Sequence, residues 1–371
     1  MANNNLTNAK KAKNDEFYTQ FGDIQKEMEA YLEYDANAFR DKVVYCNCDD
    51  PFESNFFRYF VLNFNKLGLK QLITTSYKPS PIANTQLGLF GNDETLPKSK
   101  GRPKINANKF IINEVSDFDG DGQFNLMDVA QQLKANKNNE WMPMEGDGDF
   151  RSSECVDLLK QSDIVVTNPP FSLFRDYVKQ LFEYDKKFVI IGNMNAITYK
   201  EVFPKIKENK LWLGATGNGS DMVFAVPNGA EITDGDRQKA ARLGYVGDYT
   251  RLGNSCWFTM LDHGRRHNPL SLMTEADVIK FSAKKPFEKY DNYDAIEISF
   301  VKNIPSDHDG LMGVPISFLD KYSPEQFDII GASDNGVVDD KYKLPHFKKH
   351  NEPYINGSKC YKRIFIKHKK K

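Results

Sequence analysis

Residues 42–75 repeat a rhythm that returns at 155–191: an apolar run, a turn, an amphipathic stretch and a second apolar run. In the first stretch, Lys42-Val43-Val44-Tyr45-Cys46-Asn47-Cys48 reads as a strand closed by Asp49-Asp50-Pro51. Ser54 to Leu67 reads as the following helix and Gln71-Leu72-Ile73-Thr74-Thr75 as the second strand. Strands joined through helices run parallel in one sheet, so this rhythm commits the chain to an α/β fold. Before it, apolar residues at 24, 28, 31 and 32 predict an amphipathic helix from Ile24 to Tyr34. After it, Phe110 to Val115 is strand-like and Leu126 to Leu133 a short helix. The rhythm resumes with a helix at Cys155–Leu159, a strand at Ile164–Val166, a helix at Phe174–Phe182 and a strand at Phe188–Ile191. Leu211–Leu213, Met222–Val226 and Cys256–Leu261 read as later strands. Residues 78–109 and 116–146 interrupt the pattern as inserted loops. Beyond residue 270 the pattern is irregular. With 371 residues the expected organisation is two domains, 1–270 and a smaller lobe at 271–371.

A hydrophobic content of 40% supports a buried core and excludes a disordered chain. No apolar run reaches 18 residues, so no membrane span is expected, and the polar N-terminus lacks the apolar stretch of a secretory signal. Five scattered cysteines (46, 48, 155, 256, 360) fit a reduced chain. Cys46-x-Cys48 has no partners at metal spacing and reads as strand packing. The net charge of −1 conceals an asymmetry: residues 341–371 carry +10 and residues 1–340 carry −11. A basic end on an acidic body points to a polyanion contact. Tyr361-Lys362-Arg363-Ile364-Phe365-Ile366-Lys367 alternates like a strand with one cationic face, and His368 to Lys371 like a solvated tail.

The sharpest feature is Asp163-Ile164-Val165-Val166-Thr167-Asn168-Pro169-Pro170-Phe171, an apolar strand running straight into Asn-Pro-Pro-aromatic. Ligands of open α/β sheets bind beyond the carboxyl ends of strands, where this tetrapeptide falls. An exocyclic amine on a planar heterocycle is a poor nucleophile because its lone pair is delocalised. The Asn168 oxygen and the Pro169 carbonyl offer two acceptors for its hydrogens, the prolines stiffen the turn, and Phe171 offers a stacking surface. The alternative is a simple strand-ending Asn-Pro turn.

Asn168-Pro169-Pro170-Phe171 is similar to the signature of amino-methylating, S-adenosylmethionine-dependent methyltransferases. Most of the chain resembles the EcoRI-type adenine-specific DNA methyltransferase family. The resemblance rests on Lys13 to Gln20, Val44 to Pro51 with Ser54-Asn55-Phe56, Gly146-Asp147-Gly148-Asp149-Phe150-Arg151-Ser152, and Thr167 to Ser172. It continues through Gly192 to Ala196, Gly253 to Thr259 and Gly313 to Asp320. It implies a Rossmann-like class I methyltransferase domain, a mostly parallel seven-stranded sheet with helices on both faces, plus an α+β target-recognition lobe. It implies S-adenosylmethionine as cofactor and transfer to the N6 amine of an adenine flipped out of double-stranded DNA. It also implies a monomer acting in a bacterial cytoplasm at the nucleoid, bacterial or phage-encoded, in restriction-modification or DNA protection.

By the same resemblance Asn168, Pro169, Pro170 and Phe171 are catalytic. Phe17-Tyr18-Thr19 packs over the methionine end of the cofactor, Asp49-Asp50-Pro51 with Asn55 closes the first strand around it, and Asp149-Phe150 reads its adenine. Two departures stand out: no G-x-G follows the first strand, and the second ends at Tyr77 without an acid for the ribose. Arg265, Arg266, Lys362, Arg363 and Lys367 are candidate DNA contacts. The tetrapeptide alone leaves RNA and protein-glutamine substrates open, and a catalytically silent DNA-binding module is the reading of a different class.

Three further signals are embedded. Asp117, Asp119, Asp121, Asn125 and Asp128 occupy calcium-loop positions around Gly122, with Asp in place of the closing Glu; the alternative is a turn capping a helix. Gln86-Leu87-Gly88-Leu89-Phe90 resembles a peptide that docks on the replication sliding clamp. Lys98-Ser99-Lys100-Gly101-Arg102-Pro103-Lys104 resembles a minor-groove hook.

Overall fold

The computed structural model describes residues 17–48, 54–77, 107–122, 124–135, 138–216, 222–226, 232–282, 286–333, 338–344 and 351–369. The chain divides into two compact units. One comprises Met1–Asn193 and Thr216–Leu261, the other Met194–Ala215 and Asp262–Lys371. The boundary therefore falls at 261/262 rather than 270/271, and the second unit also takes 194–215. That segment is tied into it by side chains: Tyr361 donates to Asn195 and Lys362 to Thr198.

The first unit is built on a mixed sheet. Strands β2 (Val43–Cys46), β3 (Gln71–Thr75), β6 (Ile164–Thr167) and β7 (Lys187–Asn193) pair in parallel, in the order β3-β2-β6-β7. Strand β4 (Asn108–Ile112) joins β3 antiparallel, β5 (Glu140–Pro143) joins β4, and β11 (Ser255–Thr259) joins β7, also antiparallel. The sheet expected to be mostly parallel thus has a parallel centre and antiparallel flanks. Strands β2 and β6 are buried along their whole length, as expected of central strands that read as unbroken apolar runs.

Side chains alternate between the two faces. Val44, Cys46, Leu72, Ile164, Val166, Val189, Ile191 and Trp257 form one core with helices α1 (Phe21–Tyr34), α2 (Asn55–Leu62) and α4 (Leu126–Ala135); α3 (Phe64–Leu67) follows α2 directly. On the opposite face, helix α6 (Phe174–Glu183) sets Phe182 5.7 Å from the ring of Phe188 and Phe174 5.3 Å from that of Phe258. Helix α5 (Ser153–Gln161) precedes β6. Ser54 starts α2 by accepting from the amides of Phe56 and Phe57. A small antiparallel sheet completes the unit: β9 (Val223–Ala225) lies between β1 (Tyr18–Thr19) and β10 (Tyr249–Arg251), and helix α8 (Asp234–Ala241) precedes β10.

The second unit holds the short strand β8 (Trp212–Leu213) and helices α7 (Phe203–Lys207) and α9 (Glu275–Phe281). Its sheet runs β12 (Ala295–Glu297), β13 (Leu311–Pro315), β17 (Arg363–His368), β14 (Phe327–Ala332), and a hairpin pairs β15 (Tyr354–Ile355) with β16 (Ser358–Lys359). Residues 361–367 were expected to be a strand with one cationic face. The strand forms, but β17 lies inside the sheet, with Ile364, Phe365 and Ile366 wholly buried. Arg363 turns inward onto Glu297, and Lys367 lies over the Tyr342 ring at 5.0 Å. Among the described residues, no helix is long and apolar enough to cross a membrane.

Replacing Ser54 by Ala strands the Phe56 and Phe57 amides at a buried helix start. It should lower unfolding stability by about 1 kcal/mol, read by thermal or urea melting.

Candidate functional site

Strand β6 ends at Thr167, whose hydroxyl donates to the Asn47 carbonyl at the end of β2. The Asn47 side-chain oxygen in turn accepts from the Tyr177 hydroxyl on α6. Burial pushes that hydroxyl well above its ordinary pKa, so Tyr177 stays protonated and remains a donor. Two adjacent strand ends and the following helix are thereby locked together directly before the tetrapeptide. After Asn168, Pro169 is buried, and the chain enters a 3-10 turn, Phe171–Leu173, closed by a bond from the Leu173 amide to the Pro170 carbonyl.

Asn168 is 8% exposed. Its Nδ2 donates to the Phe17 carbonyl at 2.7 Å, while its Oδ1 is buried with no hydrogen-bond partner among the described residues. The orientation of this amide is settled by chemistry: a carbonyl only accepts, so the atom facing Phe17 must be the NH₂ and the orphan must be the oxygen. A buried acceptor without a donor costs about 1–3 kcal/mol, which a substrate donor would recover.

The Phe17 ring lies 6.1 Å from that of Phe171 and 6.0 Å from that of Phe224 on β9. Phe17, directly before β1, thus both orients Asn168 and makes an aromatic wall beside it. Next to Phe17, the Thr19 carbonyl accepts from Asn55 Nδ2 at 2.7 Å, and the buried Thr19 hydroxyl oxygen has no partner among the described residues. Tyr18 is half-buried and pairs opposite Ala225.

The 146–150 loop packs against the end of β3. A Cβ on Gly148 would lie 2.0 Å from the Ser76 carbonyl oxygen, so only glycine fits there. Phe150 is buried edge-to-face against Tyr177, with ring centroids 5.0 Å apart, which connects it through Asn47 to the end of β6. Asp149 is held differently from its expected role as an acceptor for the cofactor's adenine. Arg151 binds both its oxygens, at 2.9 Å through Nε and 2.6 Å through a terminal nitrogen, and its amide adds a third bond. Burial raises the Asp149 carboxyl, but the hydrogen bonds and charge of Arg151 outweigh it and hold the group below its ordinary range.

The candidate calcium loop is a hydrogen-bonded turn. Carboxylate oxygens of Asp117, Asp119 and Asp128 come within 4.8 Å of one another, and Asp121 is not in that group. The carboxylates are engaged by backbone amides: Asp117 accepts from Gly120, Asp121 and Gly122, Asp119 from Asp121, and Asp128 from Phe118, Asp119 and Asn125. Asn125 accepts from Met127. These amide bonds build a turn at the start of α4, the alternative that the sequence offered, and nothing beyond the three clustered carboxylates supports calcium.

Three of the five candidate DNA cations are committed inside the second unit. Arg266 is 6% exposed, pairs with Asp262 at 2.5 Å and lies 3.5 Å over the Trp212 ring. Arg265 binds Asp320 and the Ala215 carbonyl, and Arg363 holds Glu297. Lys362 and Lys367 make the lighter contacts already described. Asp49, Asp50, Pro51, the 86–90 peptide and the 98–104 segment lie outside the described residues. Sequence reasoning missed Asn47, Tyr177 and Phe224 as parts of the site. Only Asn47 had a signal, within the Val44–Pro51 run.

A family model described as adenine-specific methyltransferase EcoRI matches residues 5–369. The chain is 44% identical over 368 residues to the type II methyltransferase M.EcoRI of Escherichia coli, covering 98% of this chain and 96% of that protein. It is 36% identical over 367 residues to M.MpnI of Mycoplasma pneumoniae, with 97% and 96% covered. It is 34% identical over 368 residues to M.MgeORF184P of Mycoplasma genitalium, with 97% of each covered. No solved structure matches the chain significantly.

Removing the Tyr177 hydroxyl (Tyr177→Phe) leaves the buried Asn47 oxygen unsatisfied. It should cost about 1–3 kcal/mol of stability in a urea titration. Millimolar calcium should leave the melting temperature where an equal ionic strength of sodium chloride leaves it.

Proposed function

The chain belongs to the EcoRI family of adenine-specific methyltransferases, and we propose that it methylates the N6 amine of an adenine extruded from duplex DNA. As a member of that family it is an adenine-specific DNA methyltransferase of the restriction-modification type, which sets aside the RNA, protein-glutamine and silent-module readings. The observation that carries the finer reading is the orphaned, buried Oδ1 of Asn168, an acceptor held in place by the Phe17 carbonyl.

S-adenosylmethionine, when bound, supplies an electrophilic methyl group. The residues at the strand ends fit such a group. Phe17, Tyr18 and Thr19, with the unpartnered Thr19 hydroxyl, and Asn55 beside them would hold one part of it, and Phe150 with Asp149 another. For Asp149 to accept from an adenine amine, Arg151 must release one of the carboxylate oxygens.

In the reading proposed here, the target adenine is drawn out of the stack at a cost of a few kcal/mol and stacks on Phe171. Asn168 Oδ1 and the Pro169 carbonyl accept its two N6 hydrogens. That pulls the nitrogen from planar towards tetrahedral and returns the lone pair to it. The nitrogen is thereby aligned to take the methyl group that the cofactor, when bound, would give up as its carbon–sulfur bond breaks and a neutral thioether is released, and one proton then leaves to water, so no side chain has to act as a base beforehand. Catalysis is mainly positioning, which explains why the site is built from an amide, prolines and aromatic rings rather than from a group with a shifted pKa. DNA phosphates are assigned to the second unit, where the +10 excess of residues 341–371 lies.

Asn168→Ala should lower methyl transfer to host or plasmid DNA by at least about a thousandfold while retaining DNA binding within severalfold. Single-molecule sequencing of DNA from an expressing host should show N6-methyladenine at one recognition sequence. Full activity of the variant, or methylation of another base, would overturn the reading.

A further inference from the structure

Val246 is the most exposed large apolar residue among those described, at 83%. It tops the turn between α8 and β10, with Leu243, 40% exposed, near it. Gly244 (φ +90°) and Gly247 (φ +118°) bracket Tyr245-Val246, allowing a sharp reversal closed to other side chains. The turn is tied down on both sides. The Tyr245 ring packs 5.4 Å from that of Tyr249, the Tyr245 amide bonds to the Ala240 carbonyl, the Val226 amide to the Asp248 carbonyl, and Arg237 pairs with Asp248. The bracing fixes where this exposed apolar side chain stands.

The tip belongs to the sheet that serves the candidate site. In β10, Thr250 pairs opposite Phe224, whose ring touches that of Phe17, and the Phe17 carbonyl orients Asn168. Val246 is four residues from Thr250, at most about 14 Å of extended chain. A single side chain on a narrow turn covers far too little area for a stable protein interface. It has the size and apolarity of the wedges that enter between base pairs. The exposed Arg242 lies on the tip's helical side as a cation for a phosphate beside an opened step, while Lys239 pairs with Asp236 at 3.1 Å.

We propose that Val246 is a wedge that enters the base stack of duplex DNA as the target adenine leaves it. The proposal rests on the base-extrusion reading above. Val246 is a positioning residue, since it acts on the extruded state and touches neither amine nor cofactor.

The test uses the full-length enzyme and duplex oligonucleotides carrying the site mapped in host DNA. One duplex is fully paired, one has the target adenine opposite an abasic position, and one carries 2-aminopurine at the target. Val246→Gly should slow single-turnover methylation of the paired duplex at least about tenfold and weaken the 2-aminopurine fluorescence rise. On the abasic duplex, where extrusion is easier, it should recover to within about threefold of wild type. Val246→Ile should stay close to wild type, and both variants should remain fully folded at the assay temperature by circular dichroism. A Val246→Gly enzyme that matches wild type on the paired duplex, or loses equally on both, overturns the wedge. No fluorescence rise with wild-type enzyme overturns base extrusion itself, and the wedge with it.

Discussion

One hydrogen bond organises the candidate site: the Asn168 side-chain amide gives its NH₂ to the Phe17 carbonyl and keeps its oxygen buried and without a partner among the described residues. A freely rotating asparagine would solvate both ends or satisfy itself locally. Here the strand end of β6, the two prolines and the short β1 strand leave the amide one orientation. The segment that enforces it also contributes the Phe17 ring that flanks Phe171. Orientation and stacking surface therefore come from the same few residues, and the cost of an unsatisfied acceptor is carried by the surrounding packing.

That packing is laid down beneath the site by polar contacts between buried elements. Thr167, Asn47 and Tyr177 join β6, β2 and α6, and Phe150 closes the chain of contacts edge-on against Tyr177. Gly148 lets the loop before Asp149 sit against the end of β3 with no space for a side chain. The turns that would hold a cofactor are thus held by strand ends, the location where an α/β sheet leaves room for a ligand. In the proposed adenine-reading role, the Arg151–Asp149 pair would have to open one of its two side-chain hydrogen bonds.

The charge pattern is read differently once the second unit is seen. The basic excess of the last residues is real, but it is not a cationic strand face. A central strand buries both faces, so Ile364, Phe365 and Ile366 enter the core and Arg363 turns onto Glu297. Arg266 follows the same logic with Asp262 and Trp212. A run of Arg and Lys in sequence records charge, while pairing inside a fold decides which of those charges meets a partner outside.

The central strands, the helices between them and the Asn-Pro-Pro-Phe turn were legible because each is specified locally. Unbroken apolar runs mark buried strands, apolar residues three and four apart mark helices, and two prolines permit few backbone paths. Gln71–Thr75 was read to the residue. Strands β1, β5 and β10 were not, because two to four half-buried residues carry no periodicity and are strands only by virtue of a partner far away in sequence. The same limit applies to the site. Sequence by itself named Asn168 and Phe171, since their chemistry is in the tetrapeptide. Only the tertiary structure brought Phe17, 151 positions earlier, and Phe224 to them, and decided that the Asn168 oxygen rather than its nitrogen is left without a partner among the described residues, because that choice is made by a carbonyl no local rule connects to it.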